Sequence, residues 1–292
     1  MESHELAWAA GFFDGEGWAN RSKRGVASRI NQAGLDGIPE VLTKFQRIVC
    51  VGRIKGPVIL EGRQPLYYWE ATSRPDLTRV VELIGPWLCP VKRAEFGRTL
   101  GRSLPIQVWP GSMSEELAWA GGFFDGEGST YLEKHRTHPG YFYPVLYVPQ
   151  SAVGIAAELL RLRSAMGGIG NISGVRQNGP DRKPYRRWRV VTTEKVQSAL
   201  HLLWPFIGGV KRTQAQHVMR TIHGQVDLPR GNPAFGAAGA RYCLRGHDKW
   251  NARLRPFKGR GTNDEDPLNH LRQCLQCVRE AARERRNKKR RP

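Results

Sequence analysis

The chain has 292 residues, 40% of them hydrophobic and 25% charged, an ordinary globular composition at roughly two domains' length that excludes disorder throughout. No apolar run reaches the ~18 residues of a membrane span, and no basic-then-apolar leader opens the chain, so the expected setting is intracellular (bacterial or phage-infected cytoplasm, or an organelle) with no membrane partner. A net charge of +20 and a pI near 10.3 make a polyanion the expected partner, nucleic acid first.

The first predicted element is a helix. Glu5 to Gly17 reads ELAWAAGFFDGEG and returns at Glu116 to Gly128 as ELAWAGGFFDGEG, twelve of thirteen positions identical at an offset of 111. Each copy predicts about three helical turns, with Ser3 or Ser114 capping the free N–H groups, acids in the first turn and a Gly-acid-Gly ending. Ala7, Gly11 and Gly15, like Ala118, Gly122 and Gly126, recur every fourth residue and make a stripe of small side chains. A mid-helix glycine costs roughly 0.5–1 kcal/mol relative to alanine. Its presence in both copies implies that two such faces pack backbone to backbone. Gly17 and Gly128 are open to a reading as helix-end caps. Trp8, Trp119 and the Phe-Phe pairs read as core contacts.

Downstream, each module reads as two strands, a helix, two strands and one or two helices. Turn residues stand at Lys23-Arg24-Gly25, Glu61-Gly62-Arg63, His138-Pro139-Gly140 and Gln177-Asn178-Gly179-Pro180, and helical periodicity covers Ile38 to Val49, Asp76 to Leu88, Val153 to Met166 and Glu194 to Phe206. This is an α+β fold with antiparallel sheets, helices on one sheet face. The strands supply Arg21, Lys23, Arg29, Arg53, Lys55, Lys134, Arg136, Arg186, Arg187 and Arg189 for the other face, a saddle for a duplex. Tyr67, Tyr68 and Trp69 share a strand whose facing the pattern leaves open. A second echo, PWLCPVKR from Pro86 against PFIGGVKR from Pro205, lies at an offset of 119. The expected organisation is a first module over 1–102, a linker over 103–114, a second module over 115–225, a Gly/Pro/Ala-rich linker over 226–241, a small segment over 242–281 and a basic tail over 282–292.

The repeated motif, AAGFFDGEG and AGGFFDGEG, resembles that of the LAGLIDADG homing endonucleases in their two-motif, single-chain form, over about 225 residues. The resemblance implies two motif helices packed at the centre of a pseudo-twofold monomer, two antiparallel sheets straddling double-stranded DNA, and hydrolysis of both strands at a site-specific target. Glu16 and Glu127 match the metal-binding carboxylates. By the same match, Lys92 and Lys211 stabilise charge at the scissile phosphate, and Gln32 and Gln150 orient water. The residues alone point the same way: two carboxylates at helix C-termini, brought close by helix packing, repel each other and need a cation, and oxygen ligands suit Mg²⁺. Asp14 and Asp125 read as hydrogen-bonding residues near the helix ends.

Arg93 and Arg212 adjoin the lysines and are expected on backbone phosphates; Arg29, Arg187 and Arg189 on the strands are expected to bind DNA. Arg53, Lys55, Asn171 and Ser173 are the base-reading candidates. Arg53-Ile54-Lys55 differs from Asn171-Ile172-Ser173, so an asymmetric target is expected. A noncleaving DNA- or RNA-binding protein on the same scaffold, a splicing maturase or transcription regulator, is the alternative.

Near the C-terminus, Cys243 and His247 are followed after 26 residues by Cys274 and Cys277, a spacing that fits a Cys₃His structural Zn²⁺ site and resembles a treble-clef zinc finger. The run from Arg279 onward, eight basic and two acidic residues, is expected to extend the DNA footprint through phosphate contacts.

Overall fold

The computed structural model describes residues 2–23, 25–59, 61–104, 111–135, 142–151, 154, 156–177, 179 and 181–225, with 253–256, 270–273 and 283. They divide into two compact units: 1–133 with 143–218, and 134–142 with 219–292. Cys243, His247, Cys274 and Cys277, and with them the Zn²⁺ expectation, lie outside the described residues, as does most of the basic tail. No helix among the described residues is long and apolar enough to cross a membrane.

The order anticipated from the repeat is the order observed. The first half runs α1 (Ser3–Glu16), β1 (Gly17–Ser22), β2 (Gly25–Ala33), α2 (Glu40–Val49), β3 (Arg53–Val58), β4 (Leu66–Ala71), α3 (Arg74–Ile84), a 3₁₀ turn (Gly85–Trp87) and α4 (Pro90–Leu100). The second runs α5 (Met113–Glu127), β5 (Ser129–Lys134), β6 (Phe142–Ser151), α6 (Ala157–Ala165), β7 (Asn171–Ile172), β8 (Tyr185–Val191), α7 (Thr193–Leu203) and α8 (Gly209–Gln225). Each half holds a four-stranded antiparallel sheet, ordered β1-β2-β4-β3 and β5-β6-β8-β7. In the other unit, β9 (Arg253–Pro256) pairs antiparallel with β10 (His270–Gln273).

Several helix ends differ from expectation for local reasons. α1 takes Glu2 as its N-cap, so Ser3 is already helical. α5 is capped by Ser112, not Ser114: Ser112 Oγ accepts from Glu115 N at 3.3 Å while the Glu115 carboxylate accepts from Ser112 N at 2.6 Å, a reciprocal box. The third helix starts at Arg74 because Ser73 caps it, accepting from Asp76 N at 3.1 Å. It gives way to the 3₁₀ turn at Gly85-Pro86, where proline cannot continue an α-helix.

Close packing of α1 on α5 explains the glycines. A Cβ on Gly11 would overlap the Trp119 carbonyl, and one on Gly122 the Trp8 carbonyl, so each helix rests directly on the other's backbone. Gly17 and Gly128 are extended, at φ −80° and −76°, and so are not left-handed caps. A Cβ there would strike the ring of Phe13 or Phe124 as the chain turns from helix into strand.

In the sheets, strand parity settles the open facing. Tyr67 and Trp69 point inward with Ile30, and Trp188 with Val148, while Tyr68 faces out. Trp69 Nε1 donates to Val51 O and Trp188 Nε1 to Ile169 O, each at 2.9 Å. On the outer face of the first sheet, Trp18, Arg29, Glu70 and Arg53 form a row across the strands; the corresponding row in the second reads Tyr147, Arg189 and Asn171. Two expected cations leave this face. Arg21 shares the inward parity of Gly17 and Ala19 and approaches Gly101 at the end of α4. Arg186 shares the parity of Trp188 and is tied to loop carbonyls, donating to Gly154 O at 2.6 Å and Ser173 O at 3.3 Å.

Candidate active site

Glu16 and Glu127 are the last residues of α1 and α5. The glycine stripe brings these ends side by side: a Cβ on Gly126 would sit 3.0 Å from Glu16 Cγ, and one on Gly15 3.2 Å from Glu127 Cγ. Both carboxyls are largely withdrawn from water. Burial, then the charge of Glu16, lifts Glu127 to about 7. Burial also raises Glu16, partly offset by a hydrogen bond from Gln32 and by the charges of Lys211 and Lys92. Two half-buried carboxylates on adjacent helix ends, at the negative ends of two helices, form a site of unbalanced negative charge.

The lysines come from the first turns of α4 and α8. Lys211 Nζ donates to Gly128 O at 2.5 Å, one residue past Glu127. Burial lowers its pKa, against the raising charges of Asp125, Glu16 and Glu127. Lys92 Nζ pairs with Glu95 at 3.3 Å, and the other oxygen of Glu95 accepts from Ala19 N at 2.6 Å. By the offset of 119, the place of Glu95 is taken in the second half by Gln214, so the two lysines are held differently. Gln32 lies at the end of β2 and reaches Glu16. Gln150, its counterpart on β6, lines an open cavity of about 640 Å³ with Glu127, Tyr147, Arg182, Lys183 and Tyr185. Arg182 and Lys183 escaped the sequence reading, which had marked only the turn just before them.

Asp14 and Asp125 are buried, 1% and 3% exposed, and serve the helices that carry the lysines. Asp14 accepts from Cys89 N, the N-cap of α4, at 2.9 Å and from Trp119 Nε1 at 2.8 Å. Asp125 accepts from Gly208 N, just before α8, at 2.8 Å and from Trp8 Nε1 at 3.0 Å. Burial pushes the two carboxyls up to about 7 and about 6, and these same donors pull back toward the charged form. The expected hydrogen-bonding role near the helix end is thus what the geometry gives; the tryptophan partners came only with the structure.

Of the remaining candidates, Arg29 and Lys55 both pair with Glu70, at 2.7 Å from Arg29. Arg189 pairs with Glu133, and Arg187 lies 5.8 Å over the Tyr147 ring. Arg53 and Asn171 are exposed on the outer rows. Ser173 Oγ is turned to backbone, donating to Gly174 O at 2.9 Å and accepting from Arg187 N at 3.3 Å. Arg93 holds the carbonyls of Gly85 and Leu88 at 3.0 and 3.2 Å, and Arg212 that of Pro205 at 3.4 Å. Those two guanidiniums brace the turns that lead into the lysine helices.

No group of three or more His, Cys, Asp or Glu positioned to hold a metal occurs among the described residues. The donor set at the helix ends still fits Mg²⁺, which takes one or two carboxylates and completes its shell with water and phosphate oxygens. The unbalanced charge shown by Glu127 is the property such an ion would neutralise.

Neither a protein-family profile nor a curated protein matches the chain. Among solved structures it is similar to the LAGLIDADG meganuclease I-AabMI bound to uncleaved DNA, with a TM-score of 0.56, 16% identity, and 77% of this chain and 93% of that one covered. It is also similar to the meganuclease I-CpaMI bound to uncleaved DNA, at 0.54 and 13%, covering 77% and 93%. The homing endonuclease I-GzeII in complex with its DNA target gives 0.53 and 15%, covering 77% and 92%. The chain has the fold of the LAGLIDADG homing endonucleases.

Proposed function

We propose that this protein is a site-specific double-strand DNA endonuclease. The observation that carries the reading is the half-buried, adjacent pair Glu16 and Glu127 at the ends of packed helices, with a lysine from each half close enough to act on their charge. Fold likeness supports DNA as the partner, since the similar solved structures hold DNA.

In this reading Glu16 and Glu127 hold Mg²⁺, which when bound polarises the phosphate and makes water a nucleophile at neutral pH. The protein's own groups do the rest. Lys92 and Lys211 put ammonium charge where the phosphate oxygens gain negative charge, and burial strengthens that interaction. Gln32 and Gln150 orient water beside the carboxylates. Arg29, Arg53, Lys55, Arg187 and Arg189, with Asn171, meet the duplex from the outer sheet face, whereas Ser173 is turned to backbone. The rows carry the same net charge on different side chains, Arg29-Glu70-Arg53 against Tyr147-Arg189-Asn171, and this difference in donors and acceptors favours an asymmetric target.

The test is incubation of purified protein with a randomised DNA library and Mg²⁺, followed by sequencing of the cut ends. Wild type should cut; Glu16→Gln and Glu127→Gln should lose cutting by at least about 100-fold while still binding DNA. Cutting by both variants at the wild-type rate would remove the carboxylates from the mechanism. Binding without cutting by wild type itself would favour a noncleaving binder on the same scaffold.

A further inference from the structure

Trp8 and Trp119 occupy matching places in the repeat and are buried, 1% and 0% exposed. A buried indole N–H needs an acceptor, and each finds one on the other motif helix. Trp119 donates to Asp14, which also accepts from the N-cap nitrogen of α4, the helix that presents Lys92. Trp8 donates to Asp125, which accepts from Gly208 N at the start of α8, the helix that presents Lys211. A cation lies over each indole face: Arg161 at 4.2 Å from the Trp119 ring and Lys44 at 3.7 Å from the Trp8 ring. A cation there draws density from the ring and makes its N–H a better donor. Arg161 is fixed in turn by a two-point ion pair with Glu116, at 2.8 Å for both contacts.

The two chains of contacts cross between halves. A cation and an indole of the second half act through Asp14 on the lysine helix of the first, and a cation and an indole of the first act through Asp125 on that of the second. Asp14 stands two residues before Glu16, and Lys92 three residues after Cys89, so this one carboxylate fixes the lysine helix against the helix that ends in the glutamate.

We propose that Trp119 and Trp8 are positioning residues, each setting the reactive lysine of the opposite half. The proposal rests on the nuclease reading for the lysines' role and on geometry alone for their placement. Trp→Phe keeps an aromatic ring of smaller size and removes the donor. On a strand-labelled target duplex, Trp119→Phe should slow cleavage of one strand about tenfold, the scale of a small misplacement of a reacting group, and Trp8→Phe should slow the other strand. Nicked intermediates should then accumulate on opposite strands. Trp69→Phe, which removes a buried indole bond to Val51 O in the sheet, should slow neither selectively. Asp14→Asn should reproduce Trp119→Phe if the latter folds poorly.

A second readout needs no catalysis. Reductive methylation followed by mass spectrometry should show altered reactivity at Lys92 but not Lys211 in Trp119→Phe, and the reverse in Trp8→Phe. Equal slowing of both strands, or unchanged lysine reactivity, would overturn the crossed arrangement. A wild type that binds DNA without cutting it would sink the nuclease reading and leave the labelling to decide the positioning.

Discussion

On the outer face of the first sheet Arg29 and Lys55 converge on Glu70, whose side chain is only 11% exposed. Burial would lift this carboxyl, but hydrogen bonds from Lys55 and Arg29 outweigh it and hold the group below the usual range. Arg29 also lies 4.2 Å over the Tyr68 ring. The carboxylate thus does two things: it cancels charge that would bind any phosphate, and it pins two long side chains in one orientation. Glu70→Gln should therefore raise affinity for random duplex and steepen the slope of log K against log salt by about one contact, while narrowing the margin between target and random sequence. Fluorescence anisotropy over a salt series measures all three; an unchanged slope would show that the freed cations do not meet phosphate. Nothing in the sequence picked Glu70 out, because an acid on a strand that is otherwise apolar and aromatic acquires meaning only from the register that places it between Arg29 and Arg53. Trp8 and Trp119 were likewise read as core. Periodicity reports that a side chain is buried and is silent about where its one polar atom finds a partner.

Among the elements, the motif helices were the most legible and the reason is steric. A stripe of Ala7, Gly11 and Gly15 against Ala118, Gly122 and Gly126 has no use on a solvated helix, so the pattern itself demanded a neighbour, and the neighbour's backbone is what it meets. Helix ends were less legible, since Glu2 and Ser112 compete for the caps with Ser3 and Ser114 within one or two residues. Strand facing failed for Arg21 and Arg186 because charge suggested an outward side chain where parity turned it inward, past the end of the covered sheet or against loop carbonyls. The packing predicts a sharp contrast. Gly11→Ala and Gly122→Ala each drive a methyl into the other helix's backbone, which cannot yield as a flexible side chain would, and should each destabilise by about 3 kcal/mol or more. Gly154→Ala, with nothing within 4 Å of the new Cβ, should stay within about 0.5 kcal/mol of wild type. Urea unfolding of the three variants checks this; a mild Gly11→Ala would mean that the helices separate at small cost.

For the whole molecule, the motif-helix contact gathers four acids, Asp14 and Asp125 buried and Glu16 and Glu127 half-buried at the helix ends. Asp14 and Glu127 are lifted to about 7 and Asp125 to about 6, in each case chiefly by burial, and Glu16 is raised as well. A carboxyl whose folded pKa exceeds its unfolded value lets the native state hold more protons than the unfolded chain. Its stabilising effect is complete below the unfolded pKa and is lost as pH rises through the folded value. The metal-free protein should accordingly lose thermal stability as pH rises from about 5 to about 8, opposite in sign to a protein whose carboxylates are all held by salt bridges. Mg²⁺ should restore part of the loss, because it favours the charged forms of Glu16 and Glu127, and should restore more at pH 8 than at pH 5. Asp14 and Asp125 face backbone N–H groups and indoles, so their share of the loss should persist with the metal present. Glu16→Gln/Glu127→Gln should abolish the Mg²⁺ response and reduce the pH dependence to the share that Asp14 and Asp125 carry. Calorimetry with and without Mg²⁺ across this range separates the two contributions. A metal-free melting temperature that climbs with pH, or a Mg²⁺ shift that survives in the double variant, would mean that the buried carboxylates are not where the molecule's negative charge is strained.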